Sequence, residues 1–231
     1  MIDFVWRQDY TALILSFLYV FAVIGVGELL RRVGKRSPDF TRKFIHIGVG
    51  MWAVGTVVLF ETRGAALIPP AVFVIINAVS YWRGTFKAME TGEKGNLGTI
   101  YFPIAFGALI FMFWDRPVLL VAAMMPLTWG DAMAAIVGRR HGEHTYTVMG
   151  KTRSLEGSVA MLFWSWVATS VALFAVPYLV GAPAVEWLLA LIYGGVVALV
   201  CTVVEALSPW GIDNLTIPAA AAIVLNALLS F

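Results

Sequence analysis

Charge is scarce in this sequence, with 14 Asp and Glu and 16 Lys and Arg among 231 residues, or 13% charged against 60% hydrophobic. Together with a mean hydropathy of +0.84, that scarcity excludes an ordinary soluble globular domain. Cysteine is scarcer still. The single Cys201 excludes an intrachain disulfide, and its place inside an apolar run reads as a small buried residue. The first apolar run has Asp3 and Asp9 before it and is too long for a signal-peptide core, so it is expected to stay as a span.

What the chain has in abundance is apolar runs of membrane length. They fall at Tyr10–Leu30, Phe44–Phe60, Ala65–Trp82, Ile100–Trp114, Pro117–Val137, Gly157–Val180, Trp187–Val204 and Leu215–Phe231. Most approach the ~20 residues that cross a bilayer, and the fourth and eighth are short. The expected fold is an all-α, polytopic membrane helical bundle of about eight spans in a single integral membrane domain, with seven spans as the alternative. With eight spans, thirteen of the sixteen cations lie in the first, third and fifth loops, leaving Arg7, Arg63 and Arg116 for the other side. The positive-inside rule then puts both termini outside and the long polar loops in the cytoplasm.

Ionisable residues inside such runs are costly. Asp131 lies ~10 Å below the end of its helix at Gly138, at a depth where an Asp costs roughly 2.5–3.5 kcal/mol, and an intramembrane acid is by default a functional residue. Pro126 and Gly130 weaken the helix around it, and broken backbone at that depth is tolerated where it lines a watery cavity. Alanine at Asp131 is expected to abolish turnover in a folded protein. Lys43 and His46 stand at i, i+3 at the start of the second span, with His46 beyond the reach of the headgroup-anchoring cations.

The loops between spans carry glycine and cations. Gly92, Gly95 and Gly98 are spaced by three around Lys94 and Asn96, a pattern that presents backbone N–H groups to phosphate as well as making turns. Gly150-Lys151-Thr152 resembles the end of a P-loop, but Thr145 stands where the first glycine belongs and no strand is expected before it, so it is not a Walker A motif. Lys151 and Arg153 suit phosphate oxygens, and Thr152 or Ser154 suits the cap of the sixth helix. Glu156 in that first turn reads either as an acid matching the helix dipole or as a metal or base residue. Glu205 closes the seventh run, and Asp213 and Asn214 open the last segment, where Pro218 fits a first turn.

Five acids thus gather at one boundary, Glu28, Asp131, Glu156, Glu205 and Asp213, with Lys43, His46, Lys94, Lys151 and Arg153 on the same side. Carboxylates for a divalent cation, cations and amides for phosphates, and a base for an alcohol proton make up the inventory of phosphoryl transfer. A row of acids also suits an ion or solute transporter, which has less use for lysine- and glycine-bearing loops at one mouth.

RKFIH at Arg42–His46, GNLGTIYFP at Gly95–Pro103, GDAMAAIVGRRHG at Gly130–Gly142, GKTRSLEGS at Gly150–Ser158 and EALSPWGIDNLTIP at Glu205–Pro218 resemble the polyprenol kinase family of phytol and dolichol kinases. The compact length and the GTIYFP run are more similar to the phytol kinase branch. The resemblance covers nearly the whole chain from about residue 28 and implies transfer of the γ-phosphate of CTP to an isoprenoid alcohol, with Mg²⁺ or another divalent cation. Phytol, geranylgeraniol, dolichol and diacylglycerol stay open as acceptors. The membrane, the alcohol and a nucleoside triphosphate are the expected partners, no nucleic acid is expected, and oligomeric state stays open.

Carried onto this chain, the family motifs point to Asp131, His46, Glu156 and Asp213 as catalytic residues. They point to Lys43, Asn96, Gly98, Gly150, Lys151, Thr152, Arg153 and Ser154 for nucleotide and phosphate, and to Asp131, Glu205, Asp213 and Asn214 for the metal. The nearest alternative is a CTP:lipid-phosphate cytidylyltransferase, which attacks the α-phosphorus instead of the γ.

Overall fold

The computed structural model describes residues 2–83 and 96–229, with side chains described from residue 8 onward. Gly92, Lys94 and Gly95 of the glycine-bearing loop lie outside the described residues. Six helices are long and apolar enough to cross a bilayer: Gln8–Arg32, Pro38–Leu59, Arg63–Arg83, Pro117–His141, Leu155–Val180 and Trp187–Leu207. Gly98–Phe113 and Asp213–Leu228 are apolar but shorter. The all-α bundle expected from hydropathy is therefore what forms. In chain order its helices are α1 (Ile2–Arg32), α2 (Pro38–Leu59), α3 (Arg63–Ala66), α4 (Ile68–Arg83), α5 (Gly98–Phe113), α6 (Pro117–Met125), α7 (Ala132–His141), α8 (Leu155–Val180), α9 (Trp187–Leu207) and α10 (Asp213–Leu228).

Local chemistry sets the helix boundaries. Ser37 caps α2 by accepting from the Phe40 N–H at 3.3 Å, and Pro38 occupies the first turn where its missing N–H costs nothing. Ser154 caps α8 in the same way through the Gly157 N–H at 3.1 Å, as the sequence suggested for this serine. At the opposite end of the bundle, Asp9 of α1 accepts from the Glu61 N–H at 2.9 Å and the Thr62 hydroxyl at 2.7 Å, while Arg116 reaches the Leu229 carbonyl at 3.1 Å. These bonds gather the start of α1, the link after α2, the start of α6 and the end of α10 at one end, as an up-and-down bundle requires.

The helix from α6 to α7 forms the centre. Leu119 through Met124 and Leu127 are essentially inaccessible, as expected of a helix apolar on all sides. Outward, Ile75, Phe111, Leu199 and Ile223 are among many large apolar residues left exposed, a surface suited to lipid and not to water.

Two local features depart from plain spanning rods. Pro126–Asp131 is a π-helical turn joining α6 to α7; Pro126 lacks the N–H that would continue the α-ladder, and such single-turn π insertions free carbonyls for other donors. Secondly, the segment read as loop without strands is a β-hairpin, β1 (Thr145–Val148) and β2 (Lys151–Ser154), paired antiparallel with Val148 opposite Lys151. Met149 and Gly150 both have positive φ, 49° and 76°, the backbone of the two-residue turn that suits strand twist. Its strands are four residues each and half polar, too short for a hydrophobic pattern to announce them.

Candidate active site

The ends of α2, α5, α7, α8, α9 and α10 opposite the Asp9 end, with the middle of α1 and the first part of α4, surround a cavity of about 470 Å³. Of the residues singled out in the sequence, Lys43, His46, Asn96, Gly98, Asp131, Lys151, Thr152, Arg153, Ser154, Glu205, Asp213 and Asn214 all line it. Gly150 and Glu156 do not. Gly150 is spent on the hairpin turn, and Glu156 binds the Nδ1 of His144 at 2.7 Å on the outer side of the hairpin base. Glu28 is likewise engaged elsewhere, by Arg31 and Arg32 of its own helix.

The centre of the cavity is an ion pair. Lys43 Nζ donates to Asp131 Oδ2 at 2.5 Å and approaches the Asp131 carbonyl at 3.4 Å. Lys43 is 8% and Asp131 7% exposed, and charges so buried persist only when paired. One turn further along α2, His46 Nε2 donates to the Leu127 carbonyl at 2.8 Å and lies 3.7 Å from Asp131 Oδ2. Because a carbonyl only accepts, this bond places a proton on Nε2, and in the neutral ring Nδ1 is then the lone-pair acceptor. The π turn is what presents Leu127 and Asp131 together to α2. Its tight seating depends on Gly130, where a Cβ would fall 2.1 Å from Ser165 Oγ of α8.

A second pair sits on the hairpin side. Arg153 forms an ion pair with Glu205, which is 4% exposed, and donates to the Ser208 carbonyl at 2.8 Å, tying β2 to the end of α9. Arg153 Nε and Arg42 Nε are buried donors without an acceptor among the described residues, and both side chains line the cavity. Two guanidinium groups lining one space suit an incoming polyanion. Sequence reasoning noted Arg42 and Arg139 only as loop cations, yet both line the cavity, with Arg139 paired to Asp39 across the ends of α7 and α2.

The third wall is built from the two short helices. Gly211, at φ 83°, packs so closely that a Cβ would meet Asn96 Oδ1 at 2.3 Å and Gly98 N at 2.7 Å. The starts of α5 and α10 are therefore bound to each other, and both helices direct their N-terminal dipole ends into the cavity. Asp213 and Asn214 open α10. Asn214 donates its side-chain amide to Asp213 Oδ1 at 2.8 Å and to the Gly211 carbonyl at 3.1 Å.

Asp213, Asn214 and Asp131 line the cavity with side-chain oxygens of the kind a hard divalent cation takes. Among the described residues no group of three or more His, Cys, Asp or Glu stands close enough to hold a metal alone. Glu205 fits this role less well because Arg153 occupies it.

Which apolar helix faces line the rest of the cavity was not legible in the sequence. Below His46 it runs between α1, α2, α4 and α5 over Val20, Val49, Trp52, Pro70, Phe73 and Phe106. One space thus joins a cationic mouth to an apolar arm, with His46 and Asp131 at the junction.

No protein-family model matches the chain, and no solved structure matches it. Among curated proteins, it is 31% identical to phytol kinase of Synechocystis sp., over 91% of this chain and 88% of that protein. It is 29% identical to a probable chloroplastic phytol kinase of Triticum aestivum over 94% and 76% of the two chains. To the chloroplastic farnesol kinase of Arabidopsis thaliana it is 26% identical over 70% of this chain and 56% of that one. The extent of the first match, with the ordered motifs meeting in one cavity, establishes that the chain belongs to the polyprenol kinase family, on its phytol kinase branch.

Proposed function

We propose that the protein is an integral membrane kinase that transfers the γ-phosphate of CTP to the hydroxyl of an isoprenoid alcohol. The single observation that carries this reading is the cavity itself, cationic at its mouth and apolar in its arm, with a buried acid and a histidine where the two meet. Relatives named phytol kinase and farnesol kinase support the choice of acceptor class. The concentration of cations at the mouth supports a cytoplasmic placement of that end, with both termini outside.

In this reading Lys151, Thr152 and Arg153 on the hairpin, with Arg42 and the amide ends of α5 and α10, hold the triphosphate. Lys43 holds the Asp131 carboxylate in place and adds charge near the transferring group. Asp213, Asn214 and Asp131 would hold the divalent cation, whose contribution is to neutralise charge on the phosphates. The alcohol oxygen attacks the γ-phosphorus, its proton passes to His46 Nδ1, and the bond from the γ-phosphorus to the bridging oxygen breaks to release the diphosphate. Phosphoryl transfer asks mainly for positioning and charge stabilisation, and a site made of helix N-termini and paired charges supplies both.

The test is transfer of label to lipid by detergent-purified protein with Mg²⁺ and phytol, geranylgeraniol or a longer polyprenol, using CTP labelled at the γ- or the α-phosphate. Label from γ alone, in a chloroform-soluble monophosphate that a chelator suppresses, is the expected result. Label from α would assign the chain to nucleotidyl transfer instead, and no label from CTP or ATP with any acceptor would remove the kinase reading.

A further inference from the structure

The apolar arm is too well built to be an accident of packing. α2 packs on α1 and on the central helix, α4 packs on α5, and the arm lies between those two pairs. His46, Val49 and Trp52 follow one another at three-residue steps on the face of α2 that borders it, so Trp52 lies ~9 Å deeper than His46. Pro69 and Pro70, near the start of α4, line the same cavity. Trp52 is held rigidly: its indole N–H donates to Ser16 Oγ at 3.0 Å and its ring stacks on Tyr19 with centroids 4.7 Å apart. Toward the lipid, α1 and α4 meet through Phe73, whose ring lies 5.9 Å from both Phe17 and Phe21. Phe21 is 48% exposed, so this contact stands at the bundle's outer surface.

Resting on the kinase reading above, we infer that this arm holds the isoprene units next to the hydroxyl. Trp52 is its floor, and the Phe17–Phe73–Phe21 contact is the side seam through which the rest of the tail enters the bilayer. A channel ending ~9 Å beyond His46 accommodates only the head-proximal part of a long chain. The protein therefore selects for the presence of a branched apolar head segment and is tolerant of total length. Val49 and Trp52 become specificity-determining residues that touch neither nucleotide nor phosphate.

Two substitutions and one labelling experiment test this. Val49→Trp fills the arm and should lower kcat/KM for farnesol and geranylgeraniol by roughly tenfold or more, while KM for CTP and binding of CTP stay at wild-type values. Trp52→Ala opens the floor and should change the ratio of kcat/KM between farnesol and geranylgeraniol several-fold, again with KM for CTP unchanged. A diazirine-bearing farnesol analogue should label α2 and α4 residues facing the arm in the wild-type protein, a readout that needs neither turnover nor a stable variant. Wild-type alcohol kinetics in Val49→Trp, or photolabel confined to the outward faces of the helices, would overturn the assignment. Absence of transfer by the wild-type protein with every alcohol would count against the kinase reading, and the photolabel would still decide whether the arm binds prenyl chains.

Discussion

Lys43 of α2 and Asp131 of the π turn, 88 positions apart in sequence, share a hydrogen bond of 2.5 Å in the interior of the bundle. The pair changes what substitution at either residue should do. Removing one partner of a buried pair strands the other charge, at a cost of ~3–5 kcal/mol. The alanine variant of Asp131 expected from sequence to be folded but inert is therefore destabilised as well. Lys43→Met and Asp131→Asn should each melt at lower temperature in detergent, and the double variant should recover much of the loss. None of the three should transfer phosphate above roughly 1% of the wild-type rate. Additive losses of melting temperature in the double variant would show that the two side chains are not coupled.

Arg153 makes a fork of contacts with Glu205 and the Ser208 carbonyl, and lysine cannot reproduce it. Arg153→Lys should raise KM for CTP about tenfold, with a smaller effect on KM for the alcohol. Steady-state kinetics with each substrate varied in turn distinguishes this from a general loss of fold, which would lower kcat alone.

Glu156 stands in one of the family's motifs, yet its carboxylate binds an exposed His144 outside the cavity. An exposed pair of that kind contributes little to stability. Glu156→Gln should keep kcat within about threefold of wild type. A loss of a hundredfold or more in the transfer assay would mean that Glu156 turns inward during catalysis and that the hairpin base rearranges.

Gly150 contributes through its backbone. At φ 76° an alanine is strained by ~1–2 kcal/mol, while asparagine tolerates the left-handed region. Because the same hairpin carries Lys151, Thr152 and Arg153, Gly150→Ala should raise KM for CTP several-fold and Gly150→Asn should lie closer to wild type. Equal effects of the two substitutions would argue for a direct contact between the glycine and the nucleotide.

Much of the fold was legible because a membrane-length apolar run has few alternatives to a helix. The two short runs were readable as short, and α5 and α10 are the helices of 16 residues that they form. The polar residues that meet in the cavity were legible one at a time, since a Lys, His or Asp in such a run stands out by its cost. Their pairing was not. Nothing in the spacing of Lys43 and Asp131, or of Arg153 and Glu205, shows that they touch, because helix packing alone decides it. The hairpin escaped because polar four-residue strands carry no period, and the apolar arm escaped because Val20, Trp52 and Phe73 read like any other span residues. Gly92, Lys94 and Gly95 lie outside the described residues.

The brevity of α5 and α10 reaches beyond the protein to the membrane around it. Sixteen residues rise ~24 Å, about one turn less than the ~30 Å hydrocarbon layer. The starts of the two short helices lie side by side, where a Cβ on Gly211 would meet Gly98 N at 2.7 Å. Beside full-length helices, such a pair would let water stand roughly one helical turn deeper at that patch of the surface. An amphiphile whose only polar group is a single hydroxyl floats at about that level without help. On the kinase reading proposed above, a soluble donor and the lipid alcohol would meet there without either leaving the phase in which it dissolves.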